Sequence, residues 1–231
     1  MKKYKYRHEL KFKISNGCAE VLKSQLSLIL DKDKNALSDG SYVIKSLYFD
    51  DINSNSYYEK LDGVLYRKKF RIRTYNDDDN FIRLEKKMKH NNLTSKEQML
   101  ISKDIYSKIL NGKINEIKNP EGLLEEFLND IKLKGLLPSI IVEYNRVAFI
   151  YPVSDVRITF DSNIKSGLYN YDLFDDKSPT YRVIENDKQV LEVKYNEVLP
   201  THIANILSTV PSVREAVSKF AICRSIKWGV N

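Results

Sequence analysis

At 231 residues the chain has room for one large domain or two small ones, and its 42% hydrophobic and 30% charged residues, with only 8 glycines and 6 prolines, exclude a disordered, fibrous or low-complexity chain. No stretch approaches the ~18 apolar residues of a membrane span, Met1 to Tyr6 is basic without the apolar core of a signal peptide, and Cys18 and Cys223 with three histidines supply neither a disulfide framework nor zinc-ligand spacing, so a cytoplasmic protein is expected. Thirty-eight Lys and Arg against 31 Asp and Glu leave a formal charge of +7, which points to a polyanionic partner such as nucleic acid, phosphate chains or an anionic membrane.

Tyr6, His8, Leu10, Phe12 and Ile14 alternate with Arg7, Glu9, Lys11 and Lys13, the period of a strand with one apolar and one charged face. Ser15 is placed to cap a helix over Asn16 to Leu30, with Ala19, Leu22, Leu26 and Ile29 at helical spacing, and a polar loop follows to Ser41. Strands are predicted over Tyr42 to Asp50, Val64 to Tyr75, Asn80 to Lys89 and Lys96 to Ser102, with a short polar helix or turn around Asn53 to Leu61. Lys103 to Leu110 and Pro120 to Leu133 read as helices. Strand signals resume over Ser139 to Tyr151, Asp155 to Asp161, Tyr181 to Glu185 and Gln189 to Tyr195; Asn163 to Pro179 reads as loop, and Pro200 to Thr209 and Ser212 to Trp228 as closing helices. Without repeat or linker, the pattern predicts one antiparallel, β-rich α+β domain over residues 1–231.

Alternation puts Arg67, Lys69, Arg71 and Arg73 on one strand face. Same-face neighbours roughly 7 Å apart repel by about 2 kcal/mol at an effective dielectric near 20, so the stripe must be solvated or neutralised. Alone it reads equally as a wet outer face. The pattern recurs, however, in Arg83, Glu85, Lys87 and Lys89, in Arg157, Thr159 and Asp161, in Glu192, Lys194 and Asn196, and in Glu9 with Lys11. If the sheet curls closed, five charged faces line a wet interior and the apolar faces pack under helices. Such an interior is a poor source of stability but suits phosphates, which Arg and Lys neutralise, and a divalent metal held by carboxylate oxygen.

Glu9-x-Lys11-Phe12, Tyr48-Phe49-Asp50, Phe70-Arg71-Ile72-Arg73-x-Tyr75, Leu84-Glu85-x-Lys87, Tyr144-Asn145-Arg146-x-Ala148-Phe149, Arg157-Ile158-x-x-Asp161, Leu191-Glu192-Val193-Lys194 and Ser218-Lys219-Phe220 occur in this order. From about Tyr6 to Ile226 the chain thereby resembles the VTC domain, the polyphosphate polymerase branch of the triphosphate tunnel metalloenzymes. The resemblance implies an antiparallel barrel of about eight strands forming a tunnel, with flanking helices. It also implies metal-dependent transfer of the ATP γ-phosphate to a growing polyphosphate chain, with Mn²⁺ or Mg²⁺ as cofactor. Arg71, Arg73, Lys87 and Arg157 would then stabilise the transferred group. Lys11, Lys69, Lys89, Arg146, Lys194, Ser218 and Lys219 would bind substrate or product, and Glu192 would hold the metal, with Glu9 and Glu85 as additional ligands. Seen alone, Glu192-x-Lys194 reads as a same-face salt bridge and Ser218-Lys219 as exposed helical surface.

The sequence departs from the family at Ala216, two before the Ser-Lys pair, where a basic residue is common, and at Lys89, where the polymerases often have His. The phosphate sensor domain and membrane helices of the eukaryotic polymerases have no counterpart in these residues, so a membrane partner would be a separate polypeptide. Two alternatives stay open: a triphosphatase cleaving tripolyphosphate or a nucleoside triphosphate, with Glu9 or Glu85 positioning water, and a non-catalytic polyphosphate-binding protein. A sequence-specific nucleic-acid binder is disfavoured, because the basic stripe is not interleaved with exposed aromatics.

Overall fold

The computed structural model describes residues 5–34, 36–167, 170–215 and 217–227. β1 (Arg7–Ser15) runs into α1 (Asn16–Leu26), where the Ser15 hydroxyl accepts a hydrogen bond from the Cys18 amide and Ala19, Leu22 and Leu26 form the buried stripe. This helix stops short of the predicted Leu30, as the Ser27 hydroxyl turns back onto the Ser24 carbonyl. The loop beyond it contains the unpredicted β2 (Asp31–Lys32). β3 (Ser41–Asp50), α2 (Asn55–Leu61), β4 (Tyr66–Tyr75), β5 (Ile82–His90) and β6 (Leu93–Ile101) follow. β6 starts three residues earlier than its apolar pattern suggests, because Asn91, at φ 53, makes a tight reversal that pairs His90 with Leu93.

α3 (Lys103–Leu110) and α4 (Gly122–Lys134) precede β7 (Leu137–Tyr151) and β8 (Val156–Gly167). β8 continues six residues past the predicted end into a polar stretch, which β7 pairs across an irregularity near Glu143 and Asn145. β9 (Thr180–Arg182) joins the edge of β8 and does not form a hairpin with β10 (Lys188–Tyr195). After α5 (Thr201–Leu207), the predicted final helix is a short strand, β11 (Val213–Arg214), then α6 (Lys219–Lys227); its predicted end at Trp228 lies outside the described residues. Among the described residues no helix is long and apolar enough to cross a membrane.

Eight strands pair in a ring, β7-β3-β4-β5-β6-β1-β10-β8, which the β7–β8 pairing closes. It is not a strict barrel. β1 and β6 share only two residue pairs, Arg7 with Thr94 and His8 with Leu93, while β11 takes up the same edge of β1 at Phe12 and Lys13. The outward faces carry the apolar residues, and two cores cover them: α3 and α4 over Phe70, Ile72, Ile82 and Leu84, and α1 and α5 over Ile158, Phe160, Leu191 and Val193.

A third core lies inside the ring. Tyr42 and Ile44 share a face with Ser46, which bonds the inward-pointing Arg73, and they pack with Val142, Tyr144, Val217, Phe220 and Cys223. α6 and the residues leading into it therefore fill part of the interior, so the charged lumen is a cavity beside an apolar plug. Phe127 of α4 is buried with its ring 4.9 Å from both Phe49 and Phe70. Phe127→Ala is predicted to lower the unfolding free energy by about 3–5 kcal/mol in urea titration; a loss below about 1 kcal/mol would contradict this packing.

Candidate functional site

The cavity of about 480 Å³ inside the ring is lined, among the described residues, by twelve lysines and arginines against three glutamates. Strand alternation delivers most of them: Arg67, Lys69, Arg71 and Arg73 from β4, Lys87 and Lys89 from β5, Glu9 and Lys11 from β1, Glu192 and Lys194 from β10. Depth varies along these strands. The side chain of Arg73 is 5% exposed, that of Arg71 14% and that of Lys87 37%.

Four carboxylates hold the inner cations apart. Glu85 is fully buried behind the lining, accepts from Arg71 Nε at 2.7 Å and Lys96 Nζ at 3.1 Å, and lies 3.8 Å from Arg73. Asp161 accepts Arg146 in bidentate fashion at 2.6 and 2.7 Å and Lys219 at 2.5 Å. Glu192 meets Lys194 at 2.7 Å and Lys11 at 3.1 Å, and Glu9 meets Lys87 at 2.8 Å and Lys11 at 3.1 Å. Two phenols complete the floor: Arg71 Nη1 donates to Tyr48 Oη at 2.8 Å and Arg73 Nη2 to Tyr144 Oη at 3.1 Å.

The structure thus brings together Lys11, Lys69, Arg71, Arg73, Lys87, Lys89, Arg146, Glu192, Lys194, Ser218, Lys219 and Glu9. Two residues are placed otherwise. Arg157 has the inward parity but does not line the cavity; its Nη2 lies 2.5 Å from Asp33 Oδ2 and 2.9 Å from Tyr42 Oη, held by a loop carboxylate far away in sequence. Glu85 is not exposed to the cavity and positions Arg71. Ser218 and Lys219, which read locally as helical surface, stand at the start of α6. There the Ser218 hydroxyl accepts the Ala221 amide, and Lys219 is only 6% exposed. Tyr48, Tyr144 and Asp161 are site residues to which the sequence reading gave no role, although each stands in a motif; Tyr144 shares parity with Arg146 and Asp161 with Arg157, while Tyr48 is the cross-strand partner of Arg71. The departure at Ala216 lies outside the described residues.

Burial would raise the Glu192 carboxyl, but Lys194, Lys11, Lys219 and Arg146 hold it well below the usual range; Lys87 and Lys11 do the same for Glu9. Lys11, between the two glutamates, is raised despite burial. Lys69 and Lys194 are pushed down to about 7, chiefly by burial and also by neighbouring cations. Glu9 Oε1 and Glu192 Oε1 both lie 3.1 Å from Lys11 Nζ, so two ionised carboxylates converge on one cation position, a donor set that fits Mg²⁺ or Mn²⁺. Among the described residues no three carboxylate, imidazole or thiol groups cluster as a metal cage, so phosphate and water oxygens would complete the coordination.

Residues 6–226 match the model of the VTC domain. The chain belongs to the VTC domain family. No curated protein matches its sequence. Among solved structures, HpAC1 from Hippeastrum, described as having a dominant triphosphatase activity, is 16% identical, with 96% of each chain covered and a TM-score of 0.55. This likeness shows a shared fold. PH1819 from Pyrococcus horikoshii is 11% identical over 93% of this chain and 97% of that one, with a TM-score of 0.46; the Mimivirus capping enzyme triphosphatase is 11% identical over 91% and 90%, with a TM-score of 0.41.

The depressed lysines give this VTC domain a pH signature. Below about 7 Lys69 and Lys194 are charged, and above it the free protein has lost their protons while an arriving anion restores them. Tripolyphosphate binding at about pH 8 is therefore predicted to take up protons and to weaken as pH rises. Calorimetry in two buffers of different ionisation enthalpy measures this, and identical heats in both would contradict it.

Proposed function

We propose that the cavity binds a triphosphate such as ATP together with a divalent metal and transfers the terminal phosphoryl group to a polyphosphate chain. The observation that carries this reading is the excess of cations over carboxylates in a cavity where two glutamates converge on one cation position. Phosphoryl transfer requires mainly positioning and charge neutralisation, and an acceptor that is already an ionised phosphate needs no base. In the step, the bond from the γ-phosphorus to its bridging oxygen breaks and a terminal oxygen of the acceptor chain bonds to that phosphorus. The displaced electron pair stays on the nucleoside diphosphate.

Arg71, Arg73, Lys87 and Arg146 are the groups whose charge would stabilise the transferred phosphoryl oxygens, with Glu85 and Asp161 fixing Arg71 and Arg146 in orientation. Lys11, Lys194 and Lys219, with the amides at the start of α6 beside Ser218, would bind the remaining phosphate oxygens. Glu9 and Glu192 would hold Mn²⁺ or Mg²⁺, which supplies Lewis-acid neutralisation of phosphate oxygens when bound. Arg157, tied to Asp33 outside the lining, is left with an indirect part in organising the ring.

The second reading is a triphosphatase, with water in place of the acceptor chain; the fold shared with HpAC1, itself described with a dominant triphosphatase activity, favours it. Incubation with ATP and Mn²⁺, with products resolved by length on a gel, separates the two. A phosphate ladder is expected, whereas orthophosphate alone at every metal and primer concentration would assign hydrolysis. Arg71→Ala is predicted to lower turnover by about 100-fold, and wild-type turnover by Glu192→Gln would refute the metal assignment.

A further inference from the structure

One end of the ring carries an exposed apolar collar on its outer edge. The strand ends there follow one another in register: Tyr66 pairs with His90, His90 with Leu93, Leu93 with His8 and His8 with Tyr195. Lys194 pairs with Arg157, which brings Val156 and its partner Tyr151 to the same end. Leu61 and Leu65 at the approach to β4, Tyr66 at its start, Val153 between β7 and β8, and Val198 beyond β10 are each more than half exposed. Val64 and Tyr6 are exposed beside them.

Contacts between side chains join these segments into one surface. The Tyr66 ring stacks 4.3 Å from the His90 ring, which Tyr6 meets edge-on at 6.2 Å. Val153 and Val198 flank Asp155 and Asn196, which are hydrogen-bonded at 2.7 Å, and Lys5 next to Tyr6 donates to the same Asp155 oxygen at 2.7 Å. Cations prevail within the collar. Arg7 opens β1 with the parity of Glu9 and Lys11, and Lys60, Arg67 and Lys89 stand nearby; Asp62 and Glu197 oppose them, and Asp155 is taken by Lys5.

We infer that this end of the ring docks on an anionic lipid bilayer, with the collar entering the boundary between headgroups and acyl chains and the cations facing lipid phosphates. Leucine and valine supply apolar area there, and tyrosine suits a site that is apolar at one end and wet at the other. The exposed residues stand on four separate segments, an arrangement that meets a plane; a peptide partner would instead need one continuous helix face or strand edge. A second copy meeting the same face about a two-fold axis would set one cationic mouth against another. The inference goes beyond the phosphoryl-transfer reading and stands whatever the cavity binds.

The test is co-sedimentation with vesicles of phosphatidylcholine alone and of an equal mixture of phosphatidylcholine and phosphatidylglycerol. Wild type is expected to bind the anionic vesicles, less so as salt is added, and to leave the neutral ones in solution. Leu65→Ser and Val153→Ser should each lower the partition coefficient by about fivefold to tenfold, and Arg7→Gln by about fivefold. Tripolyphosphate affinity and melting temperature should be unchanged in all three, which separates the collar from the cavity and from a folding defect. Absence of wild type from the anionic vesicles, or equal binding to both kinds, would overturn the inference. So would vesicle binding that saturating tripolyphosphate abolishes while Leu65→Ser and Val153→Ser leave it intact, since the cavity would then be capturing headgroups by itself. A concentration-dependent dimer in the absence of lipid, dispersed by Leu65→Ser, would assign the collar to a second copy and overturn it as well.

Discussion

Like charge enclosed by a sheet is the constraint on which the rest of the structure depends. A closed ring forces the inward residue of every strand toward a common axis, and here, beside an apolar plug, the charged ones that line the cavity are predominantly cationic. Ordinary folds avoid this, since buried ions cost several kcal/mol each unless paired. The VTC domain meets it with a small number of carboxylates that each touch two or more cations. Glu85 sits between Arg71, Arg73 and Lys96, and Asp161 between Arg146 and Lys219. Full neutralisation would leave a stable but inert interior. Partial neutralisation leaves a preorganised cavity with an excess of positive charge.

The surrounding architecture makes this arrangement tolerable. Apolar outer faces under α1, α3, α4 and α5 supply the burial that the lumen does not, and Val217 leading into α6, with Phe220 and Cys223 of α6, fills one part of the ring. The same helix carries Lys219 to Asp161, so the plug and the floor of the cavity are one feature. Lys11 links further elements, because its ammonium touches Glu9, Glu192 and the Val217 carbonyl, tying β1, β10 and the lead into α6 to one charge.

Much of this was legible in the sequence, since parity along a strand is a local property. The inward face of β4 follows from the order of Arg67, Lys69, Arg71 and Arg73 alone, and the α1 cap and stripe follow from Ser15 and its apolar spacing. What escaped was decided by contacts distant in sequence. Arg157 has the right parity, yet Asp33, on a polar loop without strand or helix signal, draws its guanidinium away. Glu85 is the direct cross-strand partner of Arg71, a register that depends on the length of the β4–β5 turn and turns a candidate ligand into a buried orienting group. The α6 segment has helical spacing on both sides of Ser218, but pairing with β1 converts Val213 and Arg214 into a strand and delays the helix to Lys219.

The central claim is that the uncompensated lumen is a site for a compact polyanion. Thermal unfolding with added tripolyphosphate tests it most directly, because a ligand bound only by the native state stabilises by about 2.7 kcal/mol at a hundredfold excess over its Kd. The account predicts a concentration-dependent rise in melting temperature that shrinks with added salt, is lost in Arg71→Ala, and is much smaller with equimolar sulfate. A melting temperature indifferent to tripolyphosphate, or raised equally by sulfate and by tripolyphosphate in wild type and Arg71→Ala alike, would contradict it.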